Sequence, residues 1–168
     1  NGMMCHSSRM ADGERGVVVV STQVVIVGGG FSGIGVAIRL MERGFEDFVV
    51  LEKSPRLGGT WRDNTYPGCA CDVPSVLYQY SFAPNPGWTR VFAEHAEIQA
   101  YTLDVAERFG VVPHVRLGEE LVRAAWDERI GRWRVETSRG RYEARFLVAA
   151  QGPLHEPRMP AIEGLEGF

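Results

Sequence analysis

The sequence predicts an α/β domain in which a βαβ unit is followed by an antiparallel three-stranded meander. Three observations support this prediction. A short β-branched strand, Gln23 to Val27, runs directly into the glycine-rich stretch GGGFSG at 28–33. A helical pattern and a second apolar strand follow the glycines. Further along, three strand-like segments are separated by short turn signals. This order of elements is typical of a Rossmann-like domain.

The βαβ unit occupies residues 23–52. Its helix is predicted over 31–43, with Gly44 as the C-terminal stop. The apolar residues at helical spacing are Ile34, Ile38 and Met41. The second strand covers 48–51 and ends at Glu52, and the crossover between the two strands should be right-handed.

The remaining elements follow a long irregular segment. Residues 53–90 are rich in Gly, Pro, Asn, Tyr and Trp, and such long segments inside compact domains are usually functional. A second amphipathic helix is predicted over 93–109. The meander strands are predicted at Leu121–Trp126, Arg132–Thr137 and Arg141–Val148. In the second of these strands, Trp133, Val135 and Thr137 alternate with charged residues, which indicates a half-solvated antiparallel sheet.

Composition excludes several classes of protein. The chain has 168 residues, of which 45% are hydrophobic and 23% charged, and a formal net charge of −3. A surface for binding nucleic acid is therefore not expected. The sequence has no run of eighteen apolar residues, so no membrane-spanning helix is expected either. Cys69 and Cys71 are too close for a C-x-x-C metal or redox site, so we predict no metal and a reducing, cytoplasmic environment. Residues 1–20 are predicted to be a disordered leader and 21–168 the folded domain.

The glycine-rich loop fits G-x-G-x-x-G. Gly28 would allow the tight turn, Gly30 the approach of a pyrophosphate, and Gly33 the close packing of helix on strand. The phosphates would lie at the helix N-terminus, where Ser32 can add a hydrogen bond. Glu52, at the end of the second strand, would accept hydrogen bonds from ribose hydroxyls. The alternative interpretation is a plain turn followed by a solvated strand end.

The segment after Glu52 favours FAD over NAD. An NAD domain would continue into another βα unit, whereas this chain enters a short linker and the pair Gly58-Gly59. That pattern, the meander and FLVAAQG at 146–152 resemble flavoproteins with two dinucleotide-binding domains. An NAD-dependent dehydrogenase is therefore disfavoured.

Longer segments make the resemblance specific. They are GGTWRDNTYPGCACD (58–72), DVPSVLYQYSF (72–82), AEIQAYTLDVAERFGV (96–111) and AAQGPLHEPRMPAIEGL (149–165). With the glycine loop, they resemble the Baeyer–Villiger monooxygenases and the related flavin-containing monooxygenases, the class B flavoprotein monooxygenases. The resemblance covers residues 23–168 and implies the N-terminal part of a three-layer, Rossmann-like FAD-binding domain.

The resemblance implies a set of residues in contact with FAD. They are Gly28, Gly30, Ser32, Gly33, Glu52, Gly59, Thr60, Trp61, Asp72, Tyr78, Leu121, Val122 and Ala150. Trp61 would lie near the isoalloxazine and form an aromatic wall with Tyr66. Asp72 would be a buried acid that supports catalysis by orienting an arginine outside this sequence. The alternative interpretations are core aromatic residues for Trp61 and Tyr66 and a loop cap for Asp72.

The function implied by the resemblance is oxygenation. NADPH would reduce FAD, O2 would add to give a C4a-peroxyflavin, and a small ketone would be converted to an ester or lactone. The NADPH domain and the C-terminal part of the FAD domain are not found in this sequence, so we expect the chain alone to be inactive. Oxygenation at nitrogen or sulfur and a non-catalytic FAD-binding fragment remain alternatives.

Overall fold

A six-stranded mixed sheet forms the centre of the molecule, in a computed structural model that describes residues 18–153 and 157–167. Its strands are β1 (Val19–Val27), β2 (Phe48–Glu52), β3 (Val115–Leu117), β4 (Leu121–Asp127), β5 (Arg132–Thr137) and β6 (Arg141–Ala149). The strand order is β3-β2-β1-β6-β5-β4. The first four strands in this order pair in parallel, and β6, β5 and β4 pair antiparallel.

Two helices, α1 (Phe31–Met41) and α3 (His95–Arg108), cover one face of the parallel part. The short α2 (Thr60–Asp63) packs against α3, and 3₁₀ turns lie at Val112–His114 and Leu165–Gly167. α1 and α3 bury one apolar cluster against β1 and β2, with Ile26, Ile34 and Val105 fully buried. A second cluster, which includes Val25 and Val135, lies between the opposite face and the meander. β1 is apolar on both sides because it is covered on both sides.

The predicted α/β fold with a Rossmann-like unit and an antiparallel meander is confirmed. The predicted helices and strands agree with the structure to within a few residues at each end. Gly44 and Gly110 follow α1 and α3 with positive φ, as glycines that end helices commonly do. β1 begins at Val19, so two residues that the sequence analysis assigned to the leader belong to the sheet. Residues 1–17 lie outside the described residues.

The irregular segment between β2 and α3 is held by specific hydrogen bonds. Ser75 is buried, and its hydroxyl bonds to the carbonyls of Arg90 and Val91 and accepts from Ala93 N–H. The Tyr101 hydroxyl of α3 donates to Ala83 O at 2.9 Å and accepts from the backbone N–H of Tyr80. These bonds fix a segment without regular structure against α3, and the segment forms one wall of the cleft described next.

Candidate functional site

A cleft of about 1050 Å³ lies at the carboxyl ends of β1, β2 and β6. Ligands of open α/β sheets bind at this edge. Most of the residues predicted to contact a cofactor line it: Gly28, Gly30, Ser32, Glu52, Gly59, Thr60, Trp61, Asp72, Tyr78, Leu121 and Ala150. Gly33 and Val122 do not. Gly33 packs α1 against the loop before it, and Val122 is 68% exposed.

The glycine loop brings α1 into contact with the sheet. Gly28 has φ +109°, and a Cβ there would overlap the carbonyl of Ala150. A Cβ at Gly33 would overlap the carbonyl oxygen of Gly28. Gly30 is the N-cap residue of α1, and no side chain caps the first turn. The backbone N–H groups at this helix end therefore remain available for an anionic group in the cleft.

A second pair of glycines meets the first loop. The N–H of Gly58 donates to Gly29 O at 2.9 Å, and a Cβ at Gly59 would lie 3.1 Å from the Cα of Gly30. Gly59 has φ +56° and is the N-cap residue of α2. From α3, the Gln99 amide donates to Leu57 O at 2.9 Å and supports this second loop from behind. Two backbone loops without side chains thus form a narrow floor that suits a diphosphate.

Glu52 is a buried carboxylate at the end of β2, with 4% of its surface exposed. Its Oε2 accepts from Gly29 N–H and its Oε1 from Ser54 N–H, both at 2.8 Å. Arg62 Nη1 lies 3.1 Å from the same Oε1. These bonds fix the carboxylate at the end of β2. In a dinucleotide site, an acid at this position lies beside the adenosine ribose.

Arg62 is a site residue that the sequence analysis missed. Its side chain is 8% exposed, and it donates to both Asp63 oxygens, from Nε at 2.7 Å and from Nη2 at 2.8 Å. Burial acts to lower the pKa of Arg62, but Asp63 and Glu52 more than offset this, and the net pKa is raised. The sequence feature that could have identified Arg62 is its position as a cationic residue within a segment rich in glycine and aromatic residues.

Aromatic rings line the opposite part of the cleft. Trp61 is 8% exposed, and its indole N–H donates to the hydroxyl of Tyr78 at 2.9 Å. The two rings meet edge to face, and Phe31 packs against Tyr78 with 5.1 Å between centroids. Burial raises the pKa of Tyr78, against the lowering effect of the Trp61 bond. The hydroxyl therefore stays neutral, and the three rings form an aromatic wall of the cleft.

Asp72 and Tyr66 differ from what the sequence suggested. Asp72 lines the cleft but its side chain is exposed, and Tyr66 is 61% exposed. For Asp72, the reason is the strand-like pairing of residues 69–71 with the residues before α3, in which Ala70 bridges to Glu94 and Cys71 N–H donates to Ala93 O. Side chains alternate in such a segment. Cys69 and Cys71 point inward, at 4% and 5% exposure, and Asp72 points outward.

Glu119 is a second buried carboxylate in the cleft wall that the sequence analysis did not select. Its Oε1 accepts from Thr137 Oγ1 at 2.6 Å and from the Tyr142 hydroxyl at 3.0 Å. Burial and the neighbouring Glu119 raise the pKa of Tyr142 to about 12. Glu119 thus ties β5 and β6 to the turn that leads into Leu121. An acid directly before a strand gave only a weak sequence signal.

Neither a cluster of metal-ligating side chains nor a membrane-spanning helix is found in residues 18–153 and 157–167. Within them, no three His, Cys, Asp or Glu side chains are grouped so that they could hold a metal ion. No helix in the same part of the chain is both long and apolar enough to cross a membrane.

Comparisons with known proteins agree with this geometry. Residues 26–95 match the family described as NAD(P)-binding Rossmann-like domain. A Baeyer–Villiger monooxygenase of Streptomyces coelicolor is 53% identical over 159 residues, covering 95% of this chain and 30% of that protein. The solved structure of an oxidized steroid monooxygenase bound to NADP superposes with a TM-score of 0.79 and 39% identity, covering 88% of this chain and 29% of that chain.

A third comparison bears on the cofactor. The crystal structure of OTEMO in complex with FAD and NADP has a TM-score of 0.79 and 32% identity, with 88% of this chain and 28% of that chain covered. The chain therefore spans about 30% of the length of the monooxygenases it matches.

Proposed function

Because this chain is homologous to the N-terminal portion of Baeyer–Villiger monooxygenases, we propose that it forms the FAD-binding part of an NADPH- and O2-dependent flavoprotein monooxygenase. The observation that carries the proposal is the cleft in which the glycine loop, Glu52 and the Gly59–Trp61 stretch meet. Small organic ketones are the proposed substrates, and the cytoplasm is the proposed compartment. Two buried free cysteines support a reducing environment.

The residues of the cleft fit FAD from one end to the other. Glu52 would accept hydrogen bonds from the adenosine ribose, with the backbone at Leu121 beside the adenine. The uncapped start of α1 and the floor between Gly30 and Gly59 would hold the pyrophosphate. Trp61 would face the flavin ring. The cleft volume of about 1050 Å³ is large enough for a dinucleotide.

The chemistry would be divided between cofactor and protein. Bound FAD would supply hydride acceptance from NADPH and the activation of O2 for insertion beside a ketone carbonyl. The protein groups would bind, orient and exclude water. The hydrogen-bonded rings of Trp61 and Tyr78 would keep water from the flavin side of the cleft. Asp72, exposed at the rim of the cleft, is placed to pair with a cationic group that approaches from outside.

Titration of the purified chain with FAD tests the proposal. The tryptophan fluorescence of the chain, to which Trp61 in the cleft contributes, should be quenched in a saturable way as the flavin binds. Glu52→Gln should weaken FAD binding about tenfold, because a charged acceptor of the ribose is lost. The affinity for FMN, which has no adenosine, should be unchanged by that substitution. Glu136→Gln, on the exposed side of β5, is the matched control. The absence of saturable FAD binding would refute the proposal.

A further inference from the structure

The ion pair between Arg62 and Glu52 lies at the ribose end of the cleft, and the proposed function assigns no role to Arg62. The two side chains are 8% and 6% exposed, with 3.1 Å between Nη1 and Oε1. Charges buried to this degree are costly unless they are paired and hydrogen-bonded. The chain nevertheless buries both charges, one at the end of β2 and one on α2 directly after the second glycine loop, so their pairing requires a reason.

The hydrogen bonds of Glu52 point to that reason. A carboxylate has about four lone-pair positions. Gly29 N–H and Ser54 N–H occupy two of them, one on each oxygen, and Arg62 approaches a third. These three donors come from three different segments and fix the carboxylate plane. They leave acceptor capacity for the hydroxyls of a ligand in the cleft.

The hydrogen bonds of Arg62 show that it acts through Glu52. Nε and Nη2 form a fork with the two oxygens of Asp63, and Nη1 also donates to the carbonyl of Arg56. The guanidinium is therefore engaged by protein acceptors on each of its nitrogens. A direct contact with the pyrophosphate would require breaking these bonds, and the fork geometry makes the arrangement specific to arginine.

We propose that Arg62 is a positioning residue that orients the Glu52 carboxylate and compensates its charge, so that Glu52 selects the 2′-hydroxyl of the adenosine ribose of FAD. The inference rests on the proposed function. Arg62 lies on α2, whose N-cap residue is Gly59 of the second glycine loop. The same residue thus connects the ribose end of the cleft to the short helix that carries Trp61.

The test compares two ligands, FAD and FAD whose adenosine carries 2′-deoxyribose. The unmodified chain should bind FAD about tenfold more tightly than the deoxy analogue, since one hydrogen bond to a charged acceptor is lost. In Arg62→Met, FAD affinity should fall about tenfold and the preference for the ribose should disappear. Arg62→Lys, which keeps the charge without the fork, should recover part of the affinity and little of the preference.

The controls separate this role from a structural one. Arg56→Met changes an exposed arginine of the same loop and should leave both affinities unchanged. If Arg62→Met does not fold, the double variant Glu52→Gln/Arg62→Met removes both buried charges, and it should show the same loss of preference as Glu52→Gln alone. The inference would be overturned if Arg62→Met or Arg62→Lys weakened the binding of FAD and of the deoxy analogue equally. It would also be overturned if the double variant lost more of the preference for FAD than Glu52→Gln alone.

The same titrations distinguish the two proposals. If the unmodified chain binds neither ligand, the proposed function fails and this inference fails with it. If the unmodified chain binds FAD and prefers it, but Arg62→Met and Arg62→Lys keep that preference, only the inference fails.

Discussion

Two glycines determine how closely α1 approaches the sheet. Gly33 sits in the first turn of α1 with its Cα against the carbonyl of Gly28, and Gly28 in turn lies against Ala150 at the end of β6. Three backbone segments therefore meet without intervening side chains. This contact sets the position of the uncapped helix start, and hence of the N–H groups that would bind phosphate.

Gly33→Ala should remove this contact. The added Cβ would overlap the Gly28 carbonyl, and because that neighbour is backbone it cannot rotate away. We expect a loss of about 3 kcal/mol in the free energy of unfolding, typical of overpacking, together with weaker FAD binding. Thermal and urea unfolding measure the first effect and flavin titration the second. Gly140→Ala, where a Cβ has open space, should change neither, and a Gly33→Ala protein of unchanged stability would contradict this account.

The cysteines and Asp72 show what motif reading alone could not provide. The segment around them, which the sequence predicts to contact a cofactor, lines the cleft. The signal was the presence of glycines and aromatic residues together in a long irregular stretch. The orientation of each side chain was not predictable from the motif. Pairing with the residues before α3 turns Cys71 inward and Asp72 outward, and that pairing depends on a partner more than twenty residues away.

At the scale of elements, the sequence predicted the long, periodic ones and missed the short ones. α1 and α3 have apolar stripes, and β2 is a continuous apolar run, so their patterns are strong. α2 has four residues and β3 has three, too few for any period. Both are set by tertiary contacts, β3 by pairing with β2 and α2 by the second glycine loop. Arg62 was missed with the element that carries it.

Ser75 is the element-scale feature with the clearest energetic consequence. Its buried hydroxyl accepts from Ala93 N–H at 2.9 Å and bonds to two carbonyls of the facing segment. Ser75→Ala would leave that buried N–H without its partner. The expected cost is about 2 kcal/mol, which lowers the melting temperature by roughly 6 °C.

Differential scanning calorimetry checks this prediction, with Ser81→Ala as an exposed control. The cleft wall between α2 and α3 should also become more sensitive to proteases, since the irregular segment is held to α3 through this hydroxyl. A Ser75→Ala protein that melts at the same temperature as the parent would show that water replaces the hydroxyl without cost.

At the scale of the whole molecule, Glu119 links the meander to the cleft. Its carboxylate accepts from side chains of β5 and β6 while its own backbone precedes β4. Tyr142 is the titrating partner, with a folded-state pKa of about 12 against about 10 in an unfolded chain. The neutral hydroxyl is the donor, so its contribution to stability is complete below pH 10 and is lost as the pH rises toward 12.

Tyr142→Phe should therefore lower the free energy of unfolding by about 2 kcal/mol at pH 8. Its deficit relative to the parent should shrink between pH 10 and 12, because the parent loses the same hydrogen bond there. Urea unfolding at a series of pH values measures this. Thr137→Val removes the other donor to Glu119. Because the threonine hydroxyl does not titrate, the loss of unfolding free energy in this variant should stay constant over that pH range. A constant deficit for Tyr142→Phe would contradict the assignment.

The pairing of β1 with β6 has a consequence for the order of folding. Val19–Val27 pairs along its full length with Arg141–Ala149, a strand more than a hundred residues later in the chain. A nascent polypeptide can form the local βαβ unit early, but the loop closure needed for the β1–β6 ladder must wait until β6 has been synthesised. Of the residues that make this contact, Ala150, which touches Gly28, is synthesised last. The packing of the first glycine loop against β6 therefore forms only after β6 has been made, and a chain captured before that point would expose β1 as an apolar edge open to aggregation.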